Sequence, residues 1–216
     1  KKNIHLLLHD LAHDATTQAI TTWALEYTSW DFTAVYFNGM DSICHSFMKY
    51  MPPQRKGIPD ELYNLYKEVV SSIYIFYDMM LERIMSIKPD NCITILISDH
   101  GFNTGTHRVA QLPNDPLAPE YEHSKYGIIA MQGPGIIKDE KIYGANLLDI
   151  TPTILSAFEL PVGRDMDGKP QIQVFNKEPD INFIDSWYFV EGNDGTHKQN
   201  RYKQPVNDSF LLHLET

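Results

Sequence analysis

Adjacent carboxylate and imidazole side chains follow an apolar run that has the pattern of a buried β-strand. This run covers residues 92–97, which are apolar or β-branched almost without interruption. Asp99 and His100 follow it, and Gly101 comes next. Ligands of open α/β sheets bind beyond the carboxyl ends of strands, and this residue pair suits a divalent transition metal such as zinc. An isolated Asp-His pair equally fits an N-capping Asp beside an incidental His.

A second pair of the same kind follows another strand-like run at residues 32–37. Asp41 and His45 are spaced i and i+4, so a helical turn places them on one face, where both can bind one metal. This spacing alone occurs often by chance. Two such pairs, each just beyond an apolar strand pattern, are much harder to obtain by chance.

His123 is a third candidate ligand, because it directly precedes the apolar run 127–131 and a glycine-proline-glycine turn. A lone histidine at this place is more typical of a surface, and the other two pairs make it a candidate ligand. Cys44 lies between Asp41 and His45, and we interpret it as a small buried residue rather than as a thiolate ligand.

The order of these motifs resembles the alkaline phosphatase superfamily, and most of all its type I phosphodiesterase/nucleotide pyrophosphatase branch. The stretches at 148–155 and 160–169, and Trp30 before the first strand, are similar to the same branch. The resemblance covers roughly residues 14–195. It implies an enzyme that is a metal-dependent phosphoric ester hydrolase.

The resemblance implies two divalent metal ions, with zinc the first expectation and manganese the alternative. One ion would be held by Asp41, His45 and His123. The other would be held by Asp99 and His100, together with an earlier Asp and a Thr or Ser nucleophile.

The chain has no segment that matches this earlier Asp and nucleophile, so the catalytic nucleophile is not assigned to any of its residues. Asp10 and Asp14, with the neighbouring His9 and His13, are tempting as ligands, but they do not match the pattern of the family. We therefore expect the C-terminal part of a catalytic domain, whose missing N-terminal part is its partner, and a fragment that is inactive alone. Two alternatives stay open: an enzyme like cofactor-independent phosphoglycerate mutase, and a non-catalytic metal-binding fragment.

Composition limits the possible partners. The net charge of −10 disfavours binding to nucleic acid polymers, whereas a small phosphate ester remains compatible because bound cations invert the local field. No apolar run approaches the length of a membrane span. The two cysteines give no disulfide framework, which favours a cytoplasmic protein but leaves the compartment open.

The predicted fold class is α/β, with a mostly parallel sheet flanked by helices. The strands are expected near 32–37, 92–97 and 126–131. One helix is expected from about Asp14 to Ser29, with an apolar stripe that includes Ile20 and Tyr27 on its inner side. A long helix is expected from Asp60 to about Ser86. Residues 1–180 are expected to form the partial metal-binding domain, and residues 181–216 a C-terminal extension or connector.

Overall fold

Helices and short strands make up the computed structural model, which describes residues 2–109 and 118–191. The helices are α1 (Lys2–Tyr27), α2 (Gly39–Phe47), α3 (Asp60–Tyr66), α4 (Val69–Ile87) and α5 (Ile150–Ala157). The strands are β1 (Thr94–Ile97), β2 (Gly101–Phe102), β3 (His123–Ser124), β4 (Ile129–Gln132), β5 (Val162–Gly163) and β6 (Phe183–Ile184). In these ranges, no helix is both long enough and apolar enough to cross a membrane.

The chain divides into two compact units, one up to Lys138 and the other from Asp139. The first contains α1 to α4 and β1 to β4, and the second contains α5, β5 and β6. The boundary expected at residue 181 stays a prediction, and residues 192–216 lie outside the described part.

The core of the first unit is built around α2. Ile43, Cys44 and Phe47 on this helix are all 0% exposed, which also confirms that Cys44 is buried. Other buried members of the same cluster are Met48, Tyr50, Tyr66, Val70 and Ile73. Full burial of one such apolar side chain contributes roughly 1.5–3 kcal/mol. This packing fixes one face of α2 and leaves the opposite face for Asp41 and His45.

The strands pair in a different way from the expected one. β1 and β4 are antiparallel, with Thr94 opposite Gln132, and β2 and β3 are also antiparallel. Of the ladders in the described ranges, only β5 with β6 is parallel. The mixed α/β class therefore holds, but a mostly parallel sheet is not present among these residues. Two parallel strands can pair only when a long crossover connection brings them side by side. One edge of β1 is instead paired with the antiparallel strand β4.

The strand predicted at 32–37 is not formed, because this segment pairs with no described strand. Phe32 is 58% exposed and Tyr36 is 77% exposed. The strand predicted at 92–97 forms as β1, but it is not buried, because Leu96 and Ile97 are 40% and 42% exposed. The apolar pattern predicted a strand correctly only at β1, and the burial of a strand depends on a layer that packs over it.

The first helix begins earlier than expected and turns a different face inwards. α1 starts at Lys2 rather than near Asp14, and its buried residues include Asp14 and Thr21. Ile20 and Tyr27, which were expected on the inner side, are 62% and 67% exposed. The polar face is buried because Asp14 finds hydrogen-bond partners on two other helices.

The long helix predicted from Asp60 begins at that residue but is interrupted. α3 ends at Tyr66, and α4 begins at Val69 after a turn. The ring of Tyr66 packs against Phe47 and Tyr50, with centroid distances of 5.2 and 5.1 Å. Both helices therefore contribute to the core around α2.

Asp149 organises the second unit. Its carboxylate accepts hydrogen bonds from Asn146 N at 2.8 Å, Lys169 N at 2.7 Å and Gln171 Nε2 at 2.7 Å. Burial raises the pKa of Asp149, but these three hydrogen bonds and the Lys169 charge outweigh it, so the pKa lies below its usual value. This carboxylate therefore connects the residues just before α5 to residues 169–171.

Replacement of Asp149 by Ala is expected to lower the free energy of unfolding by about 3 kcal/mol near neutral pH, because three donors lose a charged acceptor. The folded-state pKa is depressed, so ionised Asp149 stabilises the fold above the unfolded-state pKa of about 3.9. That stabilisation is lost as the pH falls through the folded-state pKa. Urea denaturation at several pH values should show the difference shrinking on acidification, whereas Asp167→Ala, at an exposed site, should change little.

Candidate metal centre

Helix α2 brings the first predicted ligand pair together. Asp41 and His45 lie one turn apart, and His45 Nε2 is 3.4 Å from Asp41 Oδ1. Because the other side of the helix is embedded in the core, both side chains are held on a rigid element. The i, i+4 spacing in the sequence therefore predicted this contact correctly.

The antiparallel pair of β2 and β3 brings the other two histidines together. Phe102 is opposite His123 in this ladder, and His100 directly precedes β2. The rings of His100 and His123 stack with a centroid distance of 3.6 Å. A Cβ atom at Gly101 would lie 2.5 Å from Ser124 Oγ, so the glycine permits this close approach of the strands.

Asp41 Oδ1 lies at the centre of the resulting cluster. It is 3.4 Å from His45 Nε2, 3.7 Å from His100 Nε2 and 3.4 Å from His123 Nε2. This oxygen is buried and has no hydrogen-bond partner. Asp41, His100 and His123 each offer one ligand atom within 4.8 Å of the others. Residues expected to hold two different ions therefore surround one carboxylate.

Hydrogen bonds at the other ring nitrogens fix the tautomers of two histidines. His45 Nδ1 lies 2.9 Å from Glu122 Oε2, and a carboxylate only accepts, so this nitrogen carries the proton. His100 Nδ1 lies 3.2 Å from the carbonyl oxygen of Gly101 and donates to it. Nε2 of each ring then lies towards Asp41 and is the nitrogen available to a metal ion.

Protonation of His123 is disfavoured. Burial lowers the pKa of His123, and the neighbouring His100 and His45 lower it further, against the opposite effect of Asp41 and Asp99. The imidazole is therefore neutral near physiological pH. Burial, with Asp41 and Glu122 nearby, raises the pKa of Cys44 to about 12, so this thiol stays protonated.

Asp99 lies at the exposed rim of the cluster. Its side chain is 71% exposed, and its Oδ1 is 3.7 Å from His100 Nε2. The same oxygen accepts a hydrogen bond from the backbone N–H of His100 at 3.0 Å. Asp99 is thus close enough to bind the same ion as His100. Its carboxylate can still accept further bonds.

The donor set fits a divalent transition metal. Imidazoles and carboxylates are ligand types that zinc binds, and three of the former surround one of the latter here. A buried carboxylate oxygen without a hydrogen bond is costly unless a cation compensates it. The surrounding residues can therefore hold such an ion.

Three further residues support the cluster and were not predicted from the sequence. Glu122 orients His45, and the Phe102 ring packs edge-on against His45 and His123 with centroid distances of 5.0 and 5.1 Å. Asn103 Nδ2 donates to the carbonyl oxygen of His123 at 3.0 Å. The only signal for Glu122 in the sequence is its position directly before His123.

A protein-family model matches most of this chain. The model described as "Type I phosphodiesterase / nucleotide pyrophosphatase" matches residues 3–153, a range that includes every member of the cluster. Comparison with curated proteins and with solved structures found no significant match.

Proposed function

Because the chain belongs to the type I phosphodiesterase/nucleotide pyrophosphatase family of the alkaline phosphatase superfamily, we propose that it is part of a two-metal-dependent phosphodiesterase. The family supports phosphoester hydrolase activity. The proposal adds two divalent ions, zinc first and manganese second, and a Thr or Ser nucleophile that lies outside these 216 residues. The substrate is a small phosphate ester.

The observation that carries the proposal is the environment of Asp41 Oδ1. This buried oxygen has no hydrogen bond, although the Nε2 atoms of three histidines lie within 3.7 Å of it. Buried side-chain oxygens in folded proteins usually accept a hydrogen bond, so this one needs an explanation. A cation that binds between the carboxylate and the imidazoles removes the cost of leaving it unpaired.

The residues divide into two ligand sets in this proposal. Asp41, His45 and His123 hold one ion, and Asp99 with His100 contributes to the other. When bound, the two ions supply positive charge that stabilises the attacking and leaving oxygens of the phosphoryl group. The chain itself orients its ligands, through Glu122 on His45 and the Gly101 carbonyl on His100.

Exposed apolar side chains support the proposal that an N-terminal part of the same domain packs against the first unit. Ile20 and Tyr27 on α1 are 62% and 67% exposed, and Leu96 and Ile97 on β1 are 40% and 42% exposed. Apolar side chains that are exposed on two elements offer surface that another part of a protein can cover. The same segment would supply the earlier Asp and the nucleophile.

We expect a longer version of the protein, with the proposed N-terminal part, to hydrolyse bis(4-nitrophenyl) phosphate only in the presence of a divalent metal. A chelator should abolish turnover because neutral imidazoles and carboxylates alone do not offset phosphoryl charge, and Zn²⁺ should restore it. Release of nitrophenol, followed by absorbance, measures the effect.

Two other outcomes would contradict the proposal. Conversion of 3-phosphoglycerate to 2-phosphoglycerate without hydrolysis of the diester would favour the mutase-like alternative. Zinc binding without turnover of either compound would favour a non-catalytic metal-binding protein.

A further inference from the structure

Asp14 is a buried carboxylate that has no part in the cluster around Asp41. It lies in the middle of α1 and is 1% exposed. Its Oδ1 lies 2.9 Å from His13 Nδ1, while its Oδ2 accepts hydrogen bonds from Gly39 N at 2.9 Å and from the Tyr77 hydroxyl. Both oxygens therefore have hydrogen-bond partners within the protein.

Gly39 is the first residue of α2, and the first N–H groups of a helix have no partner inside it. The residue at the N-cap position, Asn38, makes no side-chain capping bond. Asp14 therefore takes the place of the N-cap from a different helix, and its negative charge lies at the positive end of the dipole of α2. Tyr77, on α4, joins the same oxygen and so ties a third helix to this point.

We propose that Asp14 is a positioning residue for the metal centre, an inference that rests on the proposed function. α2 carries Asp41 only two residues beyond Gly39, and His45 one turn further on. The remaining ligands, His100 and His123, belong to the β2 and β3 region instead. The distance between the two groups of ligands therefore depends on where α2 starts, and Asp14 fixes that point.

The steric fit around Gly39 supports the same conclusion. A Cβ atom at this position would lie 2.5 Å from Asp14 Oδ2 and 2.9 Å from the Tyr77 hydroxyl oxygen. A side chain at position 39 would therefore displace the Asp14 carboxylate, the Tyr77 hydroxyl or the start of α2. A glycine is otherwise unfavourable inside a helix, where alanine has the higher propensity.

The Zn²⁺ affinity of the 216-residue chain is measured by calorimetry with a competing chelator. The visible spectrum of the Co²⁺-bound chain is recorded as a second measurement. Asp14→Ala is expected to weaken Zn²⁺ binding by roughly 10- to 100-fold, the range for lost outer partners of metal ligands. It should also change the Co²⁺ spectrum, because the spectrum reports ligand geometry. Asp14→Asn keeps an oxygen that can accept from Gly39 N and should restore most of the affinity.

Asp10 provides the matched control. It lies one turn earlier on α1, is 8% exposed and pairs with His9, whereas its second oxygen has no hydrogen-bond partner among the described residues. Asp10→Ala should leave the Zn²⁺ affinity within about twofold of the unchanged chain. A similar loss in both variants would mean that burial of any carboxylate on α1 is what matters, and it would overturn the positioning role.

Gly39→Ala tests the contact from the side of α2 and does not depend on whether Asp14→Ala folds. It should weaken Zn²⁺ binding despite the higher helix propensity of alanine, and the loss should be smaller when Asp14 is already Ala. Unchanged affinity and an unchanged Co²⁺ spectrum in Gly39→Ala and Asp14→Ala would overturn this inference. Failure of the proposed metal site is a separate result, because the unchanged chain would then bind no Zn²⁺ at all, and failure of the proposed hydrolase activity would appear only in the diester assay.

Discussion

Replacement of His45 by Ala is expected to lower the Zn²⁺ affinity of this chain by more than about a hundredfold, or more than about 2.7 kcal/mol. Asp41, His45 and His123 provide three ligand atoms, and three protein ligands make a usable zinc site with open positions. Asp99 and His100 alone leave a site with too few ligands. Calorimetry should therefore show that the tighter binding event disappears and that the weaker one remains.

Two comparisons make this result specific. His5→Ala removes an exposed histidine from α1 and should leave the Zn²⁺ affinity unchanged. His123→Ala removes a second ligand of the same set and should have a loss similar to that of His45→Ala. Equal Zn²⁺ affinity before and after the His45 substitution would exclude the assignment, provided that circular dichroism shows both proteins folded.

Local sequence pattern predicted the parts of the site that depend on local geometry. The i, i+4 spacing of Asp41 and His45 required only one helical turn, and α2 forms there. The apolar run before Asp99 formed β1, which ends two residues before it. Patterns of this kind act through neighbouring residues, so they survive even where the remaining tertiary structure differs from expectation.

Contacts between distant residues could not be predicted in the same way. Glu122 meets His45 across 77 positions of sequence, and Asp14 meets Gly39 across 25 positions. No periodicity marks either pair, because each depends on how whole elements pack. The inward face of α1 was predicted wrongly for the same reason, since hydrogen bonds to Asp14 outweighed the apolar stripe that contains Ile20 and Tyr27.

The sheet shows a related limit. An apolar run predicts extended backbone, but the partner and direction of a strand are set by segments far away in the chain. β1 pairs with β4 in the antiparallel sense, and the segment 32–37 pairs with no described strand. Exposed Leu96 and Ile97 on β1 agree with the proposal that a further part of the domain contributes to this layer.

The 216-residue chain is expected to hydrolyse bis(4-nitrophenyl) phosphate at least about a thousandfold more slowly than a longer protein with the proposed N-terminal part, a barrier difference of about 4 kcal/mol. The reason is that the chain supplies Asp99 and His100 for the second ion but neither the earlier Asp nor a matching nucleophile. Thr16, Thr17 and Thr104 match no motif of the family. Both proteins should be assayed with saturating Zn²⁺, so that a difference in metal affinity does not enter the comparison.

Asp99→Ala in the longer protein should remove most of its activity, also by about a thousandfold in kcat/KM, because the second ion loses its only carboxylate from this chain. Asp90→Ala is the matched control, since this exposed aspartate lies before β1 whereas Asp99 follows it. Comparable turnover by the short and long proteins would place the nucleophile within residues 1–216. Retention of full activity by Asp99→Ala would instead remove this residue from the second metal set, while leaving the assignment of Asp41, His45 and His123 to the first.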